Sequence, residues 1–210
     1  NKLTAVQRIE AGKERIGNQD ILSVVLQQDA DQLRETMERT DHAAFARAVD
    51  AILAARRIYI LGVRSSAALA FFLHLYFQYM FDNVCLVNAA SPSETFEQLA
   101  RATREDVLIT ISYPRYSHTA VRAAEHCKSA GARIVAITDS ARAPVAAFAD
   151  DLLLAKMEMI SLVDALAAPM SLVTALIVAL AQRREKELAK TFSDLERIWD
   201  EYEVYERIDN

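Results

Sequence analysis

The sequence predicts an α/β fold: a three-layer α/β/α sandwich around a parallel sheet, with extra N- and C-terminal helices. Two observations carry this expectation. Short apolar, β-branched runs alternate with longer helical patterns, as in strands joined by right-handed helical crossovers. The runs are also apolar throughout rather than alternating, as strands covered on both faces are. Composition agrees, because 52% hydrophobic residues over 210 positions can fill a core, and only 4 Gly and 4 Pro favour long helices. A net charge of −5 argues against a basic nucleic-acid surface within these residues.

Residues 2–19 are polar, contain Gly12 and Gly17, and read as a linker or a frayed helix. Helical periodicity follows over 21–37 and 45–55, with Thr40 and Asp41 as the cap between them. Strands are expected at 57–62, 83–88, 106–112 and 133–138, with a weaker fifth at 151–155. The segment 66–81 is apolar on nearly every side, so both the sheet and a further layer should cover it. Residues 93–103 form a short amphipathic helix. Residues 118–130 form another, which ends at Gly131, a suitable C′ residue. Pro144 opens a short helix over 143–149.

Residues 162–181 are apolar and about long enough to span a membrane. They include Asp164, Pro169, Ser171 and Thr174, and Val163, Leu166, Met170, Val173, Ile177 and Leu180 fall three and four apart. That spacing predicts a packed or dimer-interface helix, with no membrane partner. A last amphipathic helix carries Leu188, Phe192, Leu195, Ile198, Trp199, Tyr202 and Tyr205. The expected division is a linker and N-terminal helix over 1–40, an α/β domain over 41–187 and a C-terminal helix over 188–210. The first residue is Asn1 and no apolar leader follows it, so a longer, cytoplasmic protein is expected. Cys85 and Cys127 stand alone and His42, His74, His118 and His126 are scattered, so neither a metal nor a cofactor is expected.

Two strand-to-helix loops carry the chemistry. In the first, Gly62 lets the chain turn, Ser65 and Ser66 offer hydroxyls at a helix start, and Arg64 offers a forked cation. Phosphate needs such groups: short donors, charge neutralisation and the positive end of a helix dipole. An ordinary serine cap beside a solvated arginine fits the same residues. The second loop runs from Ser112 to Thr119, with Pro114 stiffening it, Arg115 supplying charge and Ser117 placed to cap the next helix. Tyr113 and Tyr116 either wall a sugar ring or simply pack. Asp139, at a later strand end, either binds a ligand hydroxyl or fixes a turn. Glu158 and His118 are the candidate bases if the site is an enzyme's.

These residues resemble a known family. The order of the Gly62-Val-Arg-Ser-Ser66 loop, the strand ending at Ser112, the strand ending in Thr138-Asp139, and then Pro144 and Asp150 is similar to a SIS (sugar isomerase) domain. The likeness is to the effector domain of RpiR/MurR-type bacterial transcription regulators. It implies a five-stranded parallel sheet of flavodoxin-like order and a phosphosugar effector. It also implies a DNA-binding helix-turn-helix domain preceding residue 1. By resemblance Ser66, Ser112 and Thr119 take the places of the family's loop serines and threonine. Arg64 stands where many members have a second Gly, the second loop is longer and lacks Gly, and Ala143 replaces a serine. The two arginines suit a more acidic ligand, a sugar acid or its phosphate.

The expected ligand-binding set is Gly62, Arg64, Ser65, Ser66, Ser112, Arg115, Ser117 and Thr119, with no catalytic residue. The expected function is a phosphosugar-sensing, self-associating (homodimer or tetramer) regulator domain. DNA is reached only through the preceding domain. A sugar-phosphate isomerase and a dimerisation module with a degenerate pocket are the rival readings.

Overall fold

The structure is a computed structural model and describes residues 4–206. The ends of the expected N- and C-terminal segments, 1–3 and 207–210, lie outside the described residues. Five parallel strands form the sheet: β1 (Arg57–Gly62), β2 (Val84–Leu86), β3 (Asp106–Ile111), β4 (Arg133–Thr138) and β5 (Asp151–Leu154). Their order is β2-β1-β3-β4-β5, the expected flavodoxin-like order. The chain leaves β1 toward β2 on one side and returns past it to β3 on the other. The carboxyl ends of β1 and β3 therefore flank the point where the strand order reverses, which is where such sheets open a crevice.

Side chains alternate across the sheet and fill two cores. Ile58 and Ile60 of β1, Val107, Ile109 and Ile111 of β3, and Val135 and Ile137 of β4 point to one face. There they meet α3 (His42–Ala54), α4 (Ser66–Met80) and α7 (Ala167–Arg183). Tyr59, Leu61, Leu108, Ile134 and Ala136 point to the other face. They meet α6 (His118–Ser129), α5 (Pro92–Leu99) and a 3-10 turn at Pro144–Phe148. Each fully buried Ile or Leu contributes roughly 1.5–3 kcal/mol. Asp151 is fully buried at the amino end of β5, where it accepts from Arg47 Nε at 3.0 Å and Arg133 Nε at 2.8 Å. That pair of bonds ties α3 and β4 to the sheet edge.

Several elements depart from expectation. Residues 2–19 contain a helix, α1 (Ala5–Ile16), rather than a linker. Its start is a reciprocal box in which the Thr4 and Gln7 side chains cap each other's backbone. A second helix, α2 (Ile21–Arg39), follows under an Asp20 cap. The expected helix over 162–181 begins only at Ala167. The residues before it form a small antiparallel hairpin, β6 (Met159–Ile160) and β7 (Val163–Asp164), turning at Ser161 with φ 59°. β2 is a strand over three residues instead of six, Val84, Cys85 and Leu86 in register with β1, flanked by single bonds from Ile58 N–H to the Asn83 carbonyl and from Val87 N–H to the Ile60 carbonyl. The segment at 143–149 is a 3-10 turn, too short for an α-helix.

α4 meets its second layer in α7 and in α8 (Glu185–Glu201), where the rings of Tyr79 and Phe192 lie 5.2 Å apart. Phe71, Leu75 and Tyr76 on the same helix remain exposed. Tyr202 and Tyr205, expected in the last helix, lie beyond the end of α8. Among the described residues no helix is long and apolar enough to cross a membrane, and no group of acidic, His or Cys side chains could hold a metal ion.

Candidate functional site

The crevice at the carboxyl ends of β1 and β3 is a cleft of about 310 Å³. The loop after β1 supplies Val63, Arg64, Ser65 and Ser66, and the loop after β3 supplies Ser112 to Ser117. Of the eight expected ligand residues, Arg64, Ser65, Ser66, Ser112, Arg115 and Ser117 line it together. Gly62 and Thr119 are not in its wall. Thr119 is half-buried one residue into α6.

Gly62 serves a different purpose from the turn expected of it. A Cβ there would lie 2.3 Å from the Ser66 carbonyl oxygen and 2.9 Å from Ala70 Cβ. Glycine therefore lets the first turn of α4 press onto the end of β1, which sets where Ser65 and Ser66 stand. Arg64 takes the left-handed backbone instead, at φ 59°. Such a conformation costs a non-glycine residue roughly 1–2 kcal/mol.

No side chain caps the amino end of α4. Its Ala67 and Ala68 N–H groups donate to the Arg64 and Ser65 carbonyls at 3.0 and 3.2 Å, so what the helix start offers an anion is the positive end of its dipole. Ser65, expected as a ligand hydroxyl with an ordinary cap as the alternative, donates its hydroxyl to Asp164 Oδ2 at 2.6 Å. Ser117 does cap α6, accepting from the Ala120 N–H at 3.4 Å. Ser112 sits at the end of β3, held by its own backbone. Its N–H donates to the Ile137 carbonyl at 3.0 Å, and its carbonyl accepts from Thr138 Oγ1 at 2.6 Å. The Ser112 hydroxyl is buried with no partner in the protein, and so is the Tyr113 hydroxyl beside it. A buried hydroxyl without a hydrogen bond costs about 1–3 kcal/mol, so two in one cleft wall mark a place for a polar ligand or water.

The second loop is braced from β4. Tyr116 donates to Asp139 Oδ1 at 3.0 Å, and Thr138 Oγ1 lies 3.2 Å from the same oxygen. Asp139 is thus engaged by the protein. Burial, and next the Asp139 charge, push the Tyr116 phenol up to about 12, and both effects raise Tyr113 further. Both phenols stay protonated at neutral pH and can donate.

Residues far away in sequence complete the cleft. Arg8 arrives from α1, and Leu162 and Asp164 from the hairpin. Arg8 was hidden inside a segment read as a linker or a frayed helix, though the Thr4/Gln7 box signals its helix. Asp164 was visible only as a charge interrupting an apolar run. The candidate bases stand elsewhere: His118 is exposed, and Glu158 is exposed and paired with Lys156 Nζ at 2.9 Å. Neither is in the cleft wall. A wider cavity of about 810 Å³ lies between α2 and residues 156–158. Its wall sets Asp20, Asp31, Glu35 and Glu158 against Arg15 and Lys156, an acidic balance that suits an anion poorly.

The SIS-domain family model matches residues 51–179, more than half of the chain. The chain belongs to the SIS-domain family. The matched SIS region contains the whole sheet, both loops of the cleft and the hairpin, but not α1 or α2. No curated protein matches the chain in sequence. Among solved structures, this SIS domain is similar to the sugar isomerase domain of an RpiR transcription factor from Sphaerobacter thermophilus. That structure is 25% identical with a TM-score of 0.78, covering 85% of this chain and 99% of the other. NanR of Vibrio vulnificus, solved with ManNAc-6P, is 16% identical with a TM-score of 0.76, covering 94% of this chain and 74% of that one. The phosphoheptose isomerase GmhA from Neisseria gonorrhoeae is 15% identical with a TM-score of 0.66, covering 77% and 97%. The last two likenesses establish a shared fold.

Proposed function

We propose that the chain is the phosphosugar-sensing effector domain of a bacterial transcription regulator of the RpiR type, and not an enzyme. The observation that carries this reading is the cleft itself. It joins Ser65, Ser66, Ser112 and Ser117 to Arg64 and Arg115 at an uncapped helix start, with the Ser112 hydroxyl left for a ligand. Hydroxyls, a helix amino end and guanidinium forks are what a phosphate monoester binds. NanR with ManNAc-6P on the same fold supports a sugar 6-phosphate as ligand, and Arg64 and Arg115 in the cleft suit a sugar-acid phosphate. Gly62 acts from behind the wall, by placing α4.

In this reading residues 41–187 form the sensing unit, preceded by α1 and α2 and followed by the rest of α8. A helix-turn-helix domain that binds DNA precedes residue 1, and the full protein is cytoplasmic. The domain works as a homodimer or tetramer. The exposed Phe71, Leu75 and Tyr76 on α4 and Val178 on α7 offer an apolar face for self-association.

A thermal-shift panel tests the ligand. Hexose 6-phosphates, N-acetylhexosamine 6-phosphates and sugar-acid phosphates are expected to raise the melting temperature, with the acidic members strongest. The parent sugars should leave it unchanged. A panel in which no ester shifts the melt, or in which parent sugars match their esters, overturns the reading.

One observation favours a sugar-phosphate isomerase as second reading: Asp164 places a carboxylate in the cleft, where a proton-abstracting base would stand. Interconversion of aldose and ketose phosphates that disappears in Asp164→Ala would decide for it.

A further inference from the structure

One wall of the cleft comes from a part of the chain outside the sheet. The hairpin carries Asp164, whose carboxylate accepts from Ser65 at 2.6 Å at the uncapped start of α4. A protein carboxylate therefore holds the hydroxyl proton that a bound anion at the start of α4 would otherwise take. The unpartnered Ser112 hydroxyl, 2% exposed and in the same wall, marks independently that a ligand is accommodated there.

The same hairpin holds α1. Arg15 Nη1 donates to the Met159 carbonyl at 3.2 Å, and Arg8 Nη1 reaches Met159 Sδ. Gly12 lies so close to the hairpin tip that a Cβ would fall 2.4 Å from Ser161 Cβ. α1 buries little apolar surface of its own, with Val6 and Ile9 exposed. Its attachment thus depends on the hairpin, and such weakly anchored elements detach at low cost.

We propose that the Ser65–Asp164 hydrogen bond is a latch, opened by a phosphate-bearing ligand, that passes occupancy of the cleft to α1. The inference rests on the phosphosugar reading above. A serine hydroxyl has one proton to donate, so the Asp164 carboxylate and a phosphate oxygen compete for it. The two anions also repel each other at contact distance. Arg64 and Arg115 line the cleft together with the Asp164 carboxylate, so the charge they supply favours the incoming anion. Release of Asp164 withdraws β7 from α4 and loosens the hairpin on which Gly12, Arg8 and Arg15 sit. α1 lies at the amino-terminal side of the chain, where a preceding DNA-binding domain would feel the change.

Amide hydrogen exchange over residues 5–16 tests the latch, together with affinity for glucose 6-phosphate and inorganic phosphate. Both are measured on the whole chain and on Asp164→Ala and Ser65→Ala. Either probe is expected to speed α1 exchange in the unsubstituted protein at least about threefold. Both unliganded variants should already show the faster exchange. Asp164→Ala should bind the probes about tenfold tighter and Ser65→Ala about tenfold weaker. A hairpin that is merely structural would not produce that split in affinity. Wild-type α1 exchange in unliganded Asp164→Ala overturns the latch, and so does a probe that binds without changing α1 exchange. Loosened α1 in both variants with no probe binding to any of the three proteins overturns the effector reading instead, and supports the mechanical link.

Discussion

The Tyr116 hydroxyl donates to Asp139 Oδ1 at 3.0 Å and so joins the loop after β3 to the loop after β4. Two loops separated by a helix and a strand become one wall, and the loop carrying Arg115 is held at a fixed distance from the sheet. Burial and the Asp139 charge hold the phenol's proton up to about 12, against about 10 in an unfolded chain.

A pH dependence follows from that bond. Between the two values the unfolded state binds fewer protons than the native state, so stability falls as pH rises from about 10 towards about 12. It is fully present below about 10. Tyr113 shifts in the same direction and adds to the fall. Urea midpoints measured near pH 8 and near pH 11 should drop less for Tyr116→Phe than for the unsubstituted protein. At neutral pH the variant should be less stable by about 1 kcal/mol.

Ser112→Ala separates binding from folding. The hydroxyl is buried without a partner, so its removal leaves no protein group unsatisfied. Stability to urea should stay within about 0.5 kcal/mol or rise. Affinity for a sugar phosphate should fall about tenfold or more. Unchanged affinity by calorimetry would remove Ser112 from the site.

Arg64 and Gly62 respond in opposite ways to a change of size. Arg64→Gly relieves a left-handed backbone and should stabilise the fold by about 1 kcal/mol, while phosphate-ester affinity drops about tenfold and its salt dependence weakens. Gly62→Ala drives a Cβ into the Ser66 carbonyl and should destabilise by about 3 kcal/mol. Thermal melts and binding isotherms of the two variants check both statements. An Ala at 62 that leaves the melt unchanged would mean that α4 can shift off β1.

Asp151→Ala strips a fully buried carboxylate from Arg47 and Arg133. A loss of about 3 kcal/mol is expected in chemical denaturation, reduced to the extent that the half-exposed arginines turn to water.

Much of the sheet was legible in the sequence because a strand buried on both faces has to be apolar along its length. Ile58 to Leu61 and Val107 to Ile111 satisfy two cores at once and leave no other reading. The loops were legible because serines, arginines and an entering helix start are local features. Six of the eight expected residues meet in the cleft for that reason. The hairpin at Met159–Asp164 was not legible, because two-residue strands carry no periodicity and their apolar residues extend the pattern of α7.

The sequence by itself determined the layered α/β architecture, the succession of its five sheet strands and the chemistry of the two loops, all of which depend on neighbours along the chain. Tertiary structure alone decided that Ser65 bonds Asp164, 99 positions away, rather than capping α4. It alone decided that Arg8 reaches the cleft, and that Gly62 exists for a close approach rather than for a turn. Those outcomes are set by which surfaces the folded chain brings within a few ångströms, and no local preference encodes that distance.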